Sequence, residues 1–144
     1  MSTKRSLLVE GHGLPIGLAV AGANRPDMKL VFETLSSLTA QKPESDDDCL
    51  PNLCLDRGYD YLPVRELVLA YGYNAHIRTR GEEIQAKRDI PNYRARRWLV
   101  ERTHSWMNRF RRLLIRWEKK VENYEAMLHF ACAFITFRAA GVSV

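Results

Sequence analysis

Leu99, Thr103, Trp106, Phe110, Leu113 and Trp117 recur at intervals of three and four residues, the repeat that lays one apolar stripe along an α-helix. The stretch that carries them, Arg94 to Lys120, holds ten arginines and lysines against two carboxylates, Glu101 and Glu118. At about 100° per residue, Arg94, Arg97, Glu101, His104, Asn108 and Arg112 project opposite the stripe. The pattern predicts a long helix with one buried face and, across from it, a single acid among several cations.

The net charge of +5 would mean little if it were spread evenly. Concentrated in one segment, it favours a phosphate-rich partner through Coulomb attraction and counterion release. With 144 residues, 46% of them hydrophobic and 27% charged, the chain has the size and composition of one folded domain rather than of a disordered segment. Its 3 cysteines, Cys49, Cys54 and Cys132, are odd in number and lie in or beside apolar runs, which argues against a disulfide framework and for a reduced, cytoplasmic setting. No secretory signal pattern opens the sequence. The longest apolar run, Ala126 to Phe137, contains His129 and falls short of the roughly 18 residues a membrane span needs.

Ser6–Val9 and Ile16–Val20 flank Glu10-Gly11-His12-Gly13, the pattern of a β-hairpin closed by glycines. Asp27 is placed to cap a helix that starts near Met28 and carries Leu30, Val31, Leu35 and Leu38 at helical spacing. The acidic stretch 42–49 reads as a surface loop, and its Asp46-Asp47-Asp48 run lacks the glycine and distal glutamate of a calcium loop. Leu50–Leu55 reads as a buried strand, Tyr61–Tyr71 as a helix and Asn74–Thr79 as a second strand. That order predicts a parallel crossover. Arg80 to Asn92 is charged and ends in a turn. A final helix, Tyr124 to Arg138, is apolar nearly all round and is expected to be buried against its neighbours.

Two acids stand out. Asp56 follows a strand, where a carboxylate held rigidly suits a hard divalent cation; it also fits a turn residue before Gly58. Asp60 fits the cap of the next helix. Glu101 fits an ordinary ion pair with Arg97 one turn away, worth roughly 0.2–0.5 kcal/mol, and equally the acid of a metal site whose neighbouring arginines hold DNA phosphates. The four histidines show no zinc spacing. Trp98, Trp106 and Trp117 could stack on bases, but two of them lie on the apolar stripe, which favours the core.

Taken together, Leu55-Asp56-Arg57-Gly58-Tyr59-Asp60, Ala75-His76-Ile77, Arg96-Arg97-Trp98-Leu99-Val100-Glu101-Arg102-Thr103 and Trp106 through Leu113 resemble the DDE transposases of bacterial insertion sequences, in the group numbered five. The likeness extends to Val9-Glu10-Gly11, Gly22-Ala23-Asn24-Arg25, Glu118-Lys119-Lys120 and the last helix, so it spans nearly the whole chain. It implies an α/β, ribonuclease-H-like fold with a mixed sheet of hairpin and parallel strands. It also implies three acids holding two divalent ions, Mg2+ or Mn2+, that catalyse strand cleavage and strand transfer on double-stranded DNA at transposon ends and target.

On this resemblance Asp56 is the second acid and metal ligand, Glu101 the third, and Arg97 the arginine four positions before it. Arg94, Arg97, Arg102, Asn108, Arg109, Arg111, Arg112 and Arg116 form the expected DNA-binding set, with Asn108 where many members carry lysine. The first aspartate belongs to an opening strand upstream of Ser6–Val9, and Glu10 matches an acid of the hairpin turn instead. Residues 1–144 are therefore expected to be one incomplete catalytic domain without its central strand and inactive alone, either a remnant or the downstream frame of a frameshifted enzyme. The resemblance allows a homodimer, and a bacterial protein associated with the nucleoid. Two alternatives remain: a catalytically dead DNA-binding regulator, and a basic helical module without a DNA role.

Overall fold

The computed structural model describes residues 3–38 and 49–141; the Asp46-Asp47-Asp48 run lies outside the described residues. The expected hairpin forms from β1 (Thr3–Val9) and β2 (Pro15–Gly22), paired antiparallel with Leu7 opposite Leu18. Gly13 closes its turn at φ 88°, a conformation that costs glycine least. Glu10 accepts hydrogen bonds from the backbone N–H of His12 and Leu14 at 2.7 and 3.0 Å. Burial alone would push its carboxyl up, but these bonds and His12 bring it below the usual carboxylate value.

Side chains alternate across β2, as strand geometry requires. Ala19 and Ala21 meet Leu30 of α1 (Asp27–Ser36) on one face, while Leu18 joins Met107, Leu113, Tyr124, Leu128 and Ala131 on the other. The hairpin is thus buried on both sides. At Gly17 a Cβ would sit 2.9 Å from the carbonyl oxygen of Thr34, so α1 can approach β2 closely only because that side chain is missing.

A second core, Val31, Leu35, Leu53, Val64 and Val68, joins α1 to the predicted crossover. Here β3 (Asn52–Leu55) leads through a 3-10 turn at Arg57–Tyr59 into α2 (Leu62–Ala70), then to β4 (Asn74–Ile77), which pairs parallel with β3. The fold is mixed α/β, and the expected hairpin and parallel strands are both present, but they do not join in one sheet. The described strands make two separate two-stranded sheets, β1-β2 and β3-β4, and no strand among the described residues joins them.

Several local expectations need correction. Arg80–Asp89 is a helix, α3, opened by a capping box in which Thr79 and Glu82 exchange side-chain and backbone hydrogen bonds. The long basic helix is two, α4 (Arg97–Met107) and α5 (Arg111–Leu114), with a break at Asn108–Phe110. The break re-aims the stripe, so Met107 is fully buried while Trp117 is 71% exposed. Neither Asp27 nor Asp60 caps the start of the helix that follows it: Asp27 ion-pairs with Lys4 and Asp60 with Arg65.

The last helix, α6 (Val121–Ala139), buries only the stripe Tyr124, Leu128 and Ala131. Phe130, Phe134 and Phe137 are exposed, since only one side of α6 meets β2, α4 and α5. Among the described residues no helix is long and apolar enough to cross a membrane, and the three cysteines are free thiols. Burial raises the Cys132 thiol to about 11.

Thr103, fully buried on α4, ties that helix to the hairpin turn: its hydroxyl lies 2.6 Å from the Gly13 carbonyl and 2.9 Å from that of Leu99. Thr103→Val keeps the shape and strands the Gly13 carbonyl. The expected cost is about 1–3 kcal/mol, read as a lower urea midpoint with an unchanged slope.

Candidate active site

A cleft of about 700 Å3 separates the two sheets. The strands β1 and β3 form its sides, Val31 and Leu35 of α1 part of its apolar lining, and the first half of α4 crosses one end. Asp56, directly after β3, lines it. Its Oδ1 accepts a hydrogen bond from the Arg57 N–H at 2.8 Å and so caps the 3-10 turn. The turn reading of Asp56 therefore holds, and the side chain remains 65% exposed.

Glu101, about one turn into α4, lines the same cleft and is exposed. The ion pair expected between Arg97 and Glu101 does not form. The Arg97 guanidinium instead bridges Asp56 at 3.8 Å and Glu83 of α3 at 3.2 Å, two partners of which neither competes for the same helical turn. Glu101 is left without a hydrogen bond or ion pair among the described residues. Glu83 was missed from the sequence; the Thr79-x-x-Glu82 capping box, which fixes the start of α3, is the signal that places it beside Arg97.

Tyr59 faces this region half-buried, and burial followed by the charges of Asp27 and Asp56 raises its phenol above the ordinary value. His104 lines the cleft from α4; burial and the Arg5 charge lower its pKa from 6.5. The folded state thus resists the proton that the unfolded chain accepts, so stability falls as pH drops below about 6.5 and down through the lower folded value. Urea titrations between pH 7 and 5 should show that loss, and His104→Gln should flatten it.

The expected DNA-binding residues divide into two groups. Arg102 lies between the rings of Trp98 and Trp106, 4.7 and 4.6 Å from their centroids, and donates to the His12 carbonyl. Arg116 holds Thr3 and the carbonyls of Glu118 and Lys119 and covers Tyr124. Asn108 accepts from Arg5 at 2.8 Å, and Arg112 pairs with Glu118 at 3.4 Å. Arg109 and Arg111 are exposed and make no hydrogen bond or ion pair among the described residues. Arg94 only lies over Trp98 at 5.9 Å.

The family described as the transposase DDE domain matches residues 1–135. The chain belongs to that family. A Burkholderia cepacia protein named as a transposase for insertion sequence element IS402 is 29% identical over 157 residues, covering 99% of this chain and 67% of the relative. No solved structure matches the chain. The family assignment, of the insertion-sequence kind, accords with the resemblance carried by Asp56, Glu101 and the residues around them.

Transposases of this family generally use a divalent metal. The donors here suit a hard cation, since Asp56 and Glu101 offer exposed carboxylate oxygens, and magnesium commonly takes one or two carboxylates, waters and substrate phosphate oxygens. Two ions need more oxygen ligands than that. Among the described residues no group of three or more His, Cys, Asp or Glu side chains converges to hold one.

Proposed function

We propose that this chain carries two of the three acids of a metal-dependent DNA strand-cleavage and strand-transfer site, and that it is inactive by itself. The observation that carries the reading is the single cleft shared by Asp56 and Glu101, with Arg97 spanning the space beside Asp56. Residues 1–144 are then one incomplete catalytic domain of ribonuclease-H-like fold, whose central strand and first acid come from another segment.

In this reading Asp56 and Glu101 hold the divalent ion, Mg2+ or Mn2+. When bound, such an ion polarises the phosphate and lowers the pKa of an attacking water or hydroxyl. Asp56 is oriented by the hydrogen bond from the Arg57 N–H at the start of the 3-10 turn. Arg97 pairs with both Asp56 and Glu83; with a cation on Asp56 its guanidinium would stay beside Glu83, where it could meet a DNA phosphate. Glu101 has no ion-pair partner among the described residues to give up.

The test is incubation of the purified chain with Mg2+ or Mn2+ and duplex DNA bearing the insertion-sequence ends. The expected result is no strand cleavage above background. Efficient cleavage abolished by Asp56→Ala would overturn the claim that the fragment is inactive. A second reading, a DNA-binding regulator that competes with a complete transposase, is favoured by the uncommitted cations Arg94, Arg109 and Arg111; its measurement is the salt dependence argued in the Discussion.

A further inference from the structure

We infer that the tip between α5 and α6, residues 114–117, is an apolar wedge that enters the base stack of duplex DNA and sets the Trp117 ring against an unstacked base. This rests on the DNA-binding reading above and names the form of DNA that the surface fits, a duplex with a weakened base step.

By its spacing Trp117 belongs to the buried stripe, and the structure takes it out of the core. Beyond the break at Asn108–Phe110, Leu114, Ile115 and Trp117 are 60%, 58% and 71% exposed. The other two tryptophans differ. Trp98 and Trp106 are half-buried, and the Arg102 guanidinium covers both rings. Trp117 has no hydrogen bond or ring contact among the described residues, so the fold leaves a large apolar ring unused.

The backbone beneath that ring is held. Arg116 donates to the carbonyls of Glu118 and Lys119 at 3.0 and 3.5 Å and to the Thr3 hydroxyl, and it lies over Tyr124. Arg112 and Glu118 pair across the tip at 3.4 Å. Leu113 and Tyr124, buried in one cluster, fix its two ends. Arg116 and Glu118 are half-buried and Trp117 between them is exposed, the alternation of an extended segment. Anchoring those two neighbours turns the indole outward, and a ring already fixed in place loses little freedom on binding.

Charge decides the partner. Arg109 to Lys120 holds six arginines and lysines against one carboxylate, Glu118, and Arg112 already takes that one. Arg109 and Arg111 before the tip, and Lys119 and Lys120 after it, are exposed and form no ion pair among the described residues. A second copy would set these cations against their own kind. An anionic lipid surface would suit the charge, but α5 has four residues, whereas helices that lie in a membrane interface often run to roughly 20–30. Duplex DNA offers phosphates outside and an apolar stack within. Leucine and isoleucine can wedge between its base steps while cations hold the backbone, and an aromatic ring stacks on any base because every base has a π-face. Insertion costs least where pairing is already broken.

The experiment titrates the full chain, without metal, against a short duplex and against the same duplex with a central bulge, at one salt concentration. The bulged duplex should bind about tenfold or more tightly, the scale of one base stacked on an aromatic side chain. Trp117→Ala should reduce that preference to about twofold or less and leave the salt slope unchanged, since no phosphate contact is lost. Trp117→Phe, which keeps a ring, should retain most of it. Arg109→Ala should do the reverse, lowering the slope and keeping the preference. A 2-aminopurine at the bulge should change fluorescence with the wild-type chain and not with Trp117→Ala.

Equal binding of the two duplexes, a preference that survives Trp117→Ala, or no DNA binding at all would overturn the inference. So would loss of folding in Trp117→Ala, which would place the ring in the core. Self-association that Trp117→Ala abolishes would identify a second copy as the partner, and Trp117-dependent binding to phosphatidylserine vesicles tighter than to bulged DNA would identify a membrane. The cleavage assay is separate: fragment activity can refute the incomplete site while the wedge stands, and equal binding of the two duplexes removes the wedge while the roles of Asp56 and Glu101 stay open to that assay.

Discussion

Raising salt from 50 to 200 mM should weaken binding of this chain to duplex DNA by roughly two to three orders of magnitude. The figure follows from counting cations that can still meet a phosphate. Of the ten in Arg94–Lys120, Arg97, Arg102, Arg112 and Arg116 are engaged within the fold. The rest, foremost Arg94, Arg109 and Arg111, leave about four to six phosphate contacts. Each released counterion adds about 0.9 to the slope of log affinity against log salt, so a fourfold rise in salt costs roughly 150- to 2000-fold. Anisotropy titrations across that range measure the slope directly.

Variants sharpen the same prediction. Arg109→Ala and Arg111→Ala should each reduce the slope by about one and weaken binding alike on any sequence. Arg102→Ala should act differently. Its guanidinium is held between two indole rings and joined to the hairpin turn, so its removal should lower stability and leave the salt slope nearly unchanged. Salt-independent binding would remove the regulator reading and favour a basic module whose cations serve the fold alone.

Short-range signals carried most of the architecture. The glycine turn at Gly11–Gly13 and the alternating strands gave the hairpin, and the strand-helix-strand order from Leu50 to Thr79 gave the parallel pair. Asp56 and Glu101 stood out in the sequence through their surroundings, and both line one cleft. What failed depended on tertiary partners. Arg97 and Glu101 have ideal spacing for a helical ion pair, yet two carboxylates from elsewhere in the chain take Arg97. Periodicity ran through Asn108–Phe110 without revealing the break there, because the side chains on both sides still alternate at three and four. Which strands pair was not legible within any one strand, since pairing partners are decided across the sequence; the expectation of a missing central strand came from the resemblance alone.

Leu128→Ala is the substitution expected to harm the fold most. Leu128 is fully buried at the meeting point of α6, β2 and α4, with Leu18, Met107 and Tyr124 in the same cluster. Truncation removes transfer energy and leaves a cavity that the surrounding elements close only in part, for about 2–5 kcal/mol. Against a total of roughly 5–15 kcal/mol for a domain, that is a large share, and the thermal midpoint should fall on the order of 10 °C. Phe130, two residues further along α6, is 67% exposed, so Phe130→Ala should change stability by only about 0.5 kcal/mol or less. The pair separates two accounts of a helix that is apolar nearly all round. A small Phe130 effect means that α6 buries one stripe and shows the rest to solvent, as the structure has it; a cost equal to that of Leu128→Ala would mean that its aromatic face is covered in solution, by a second copy or by a segment outside residues 1–144.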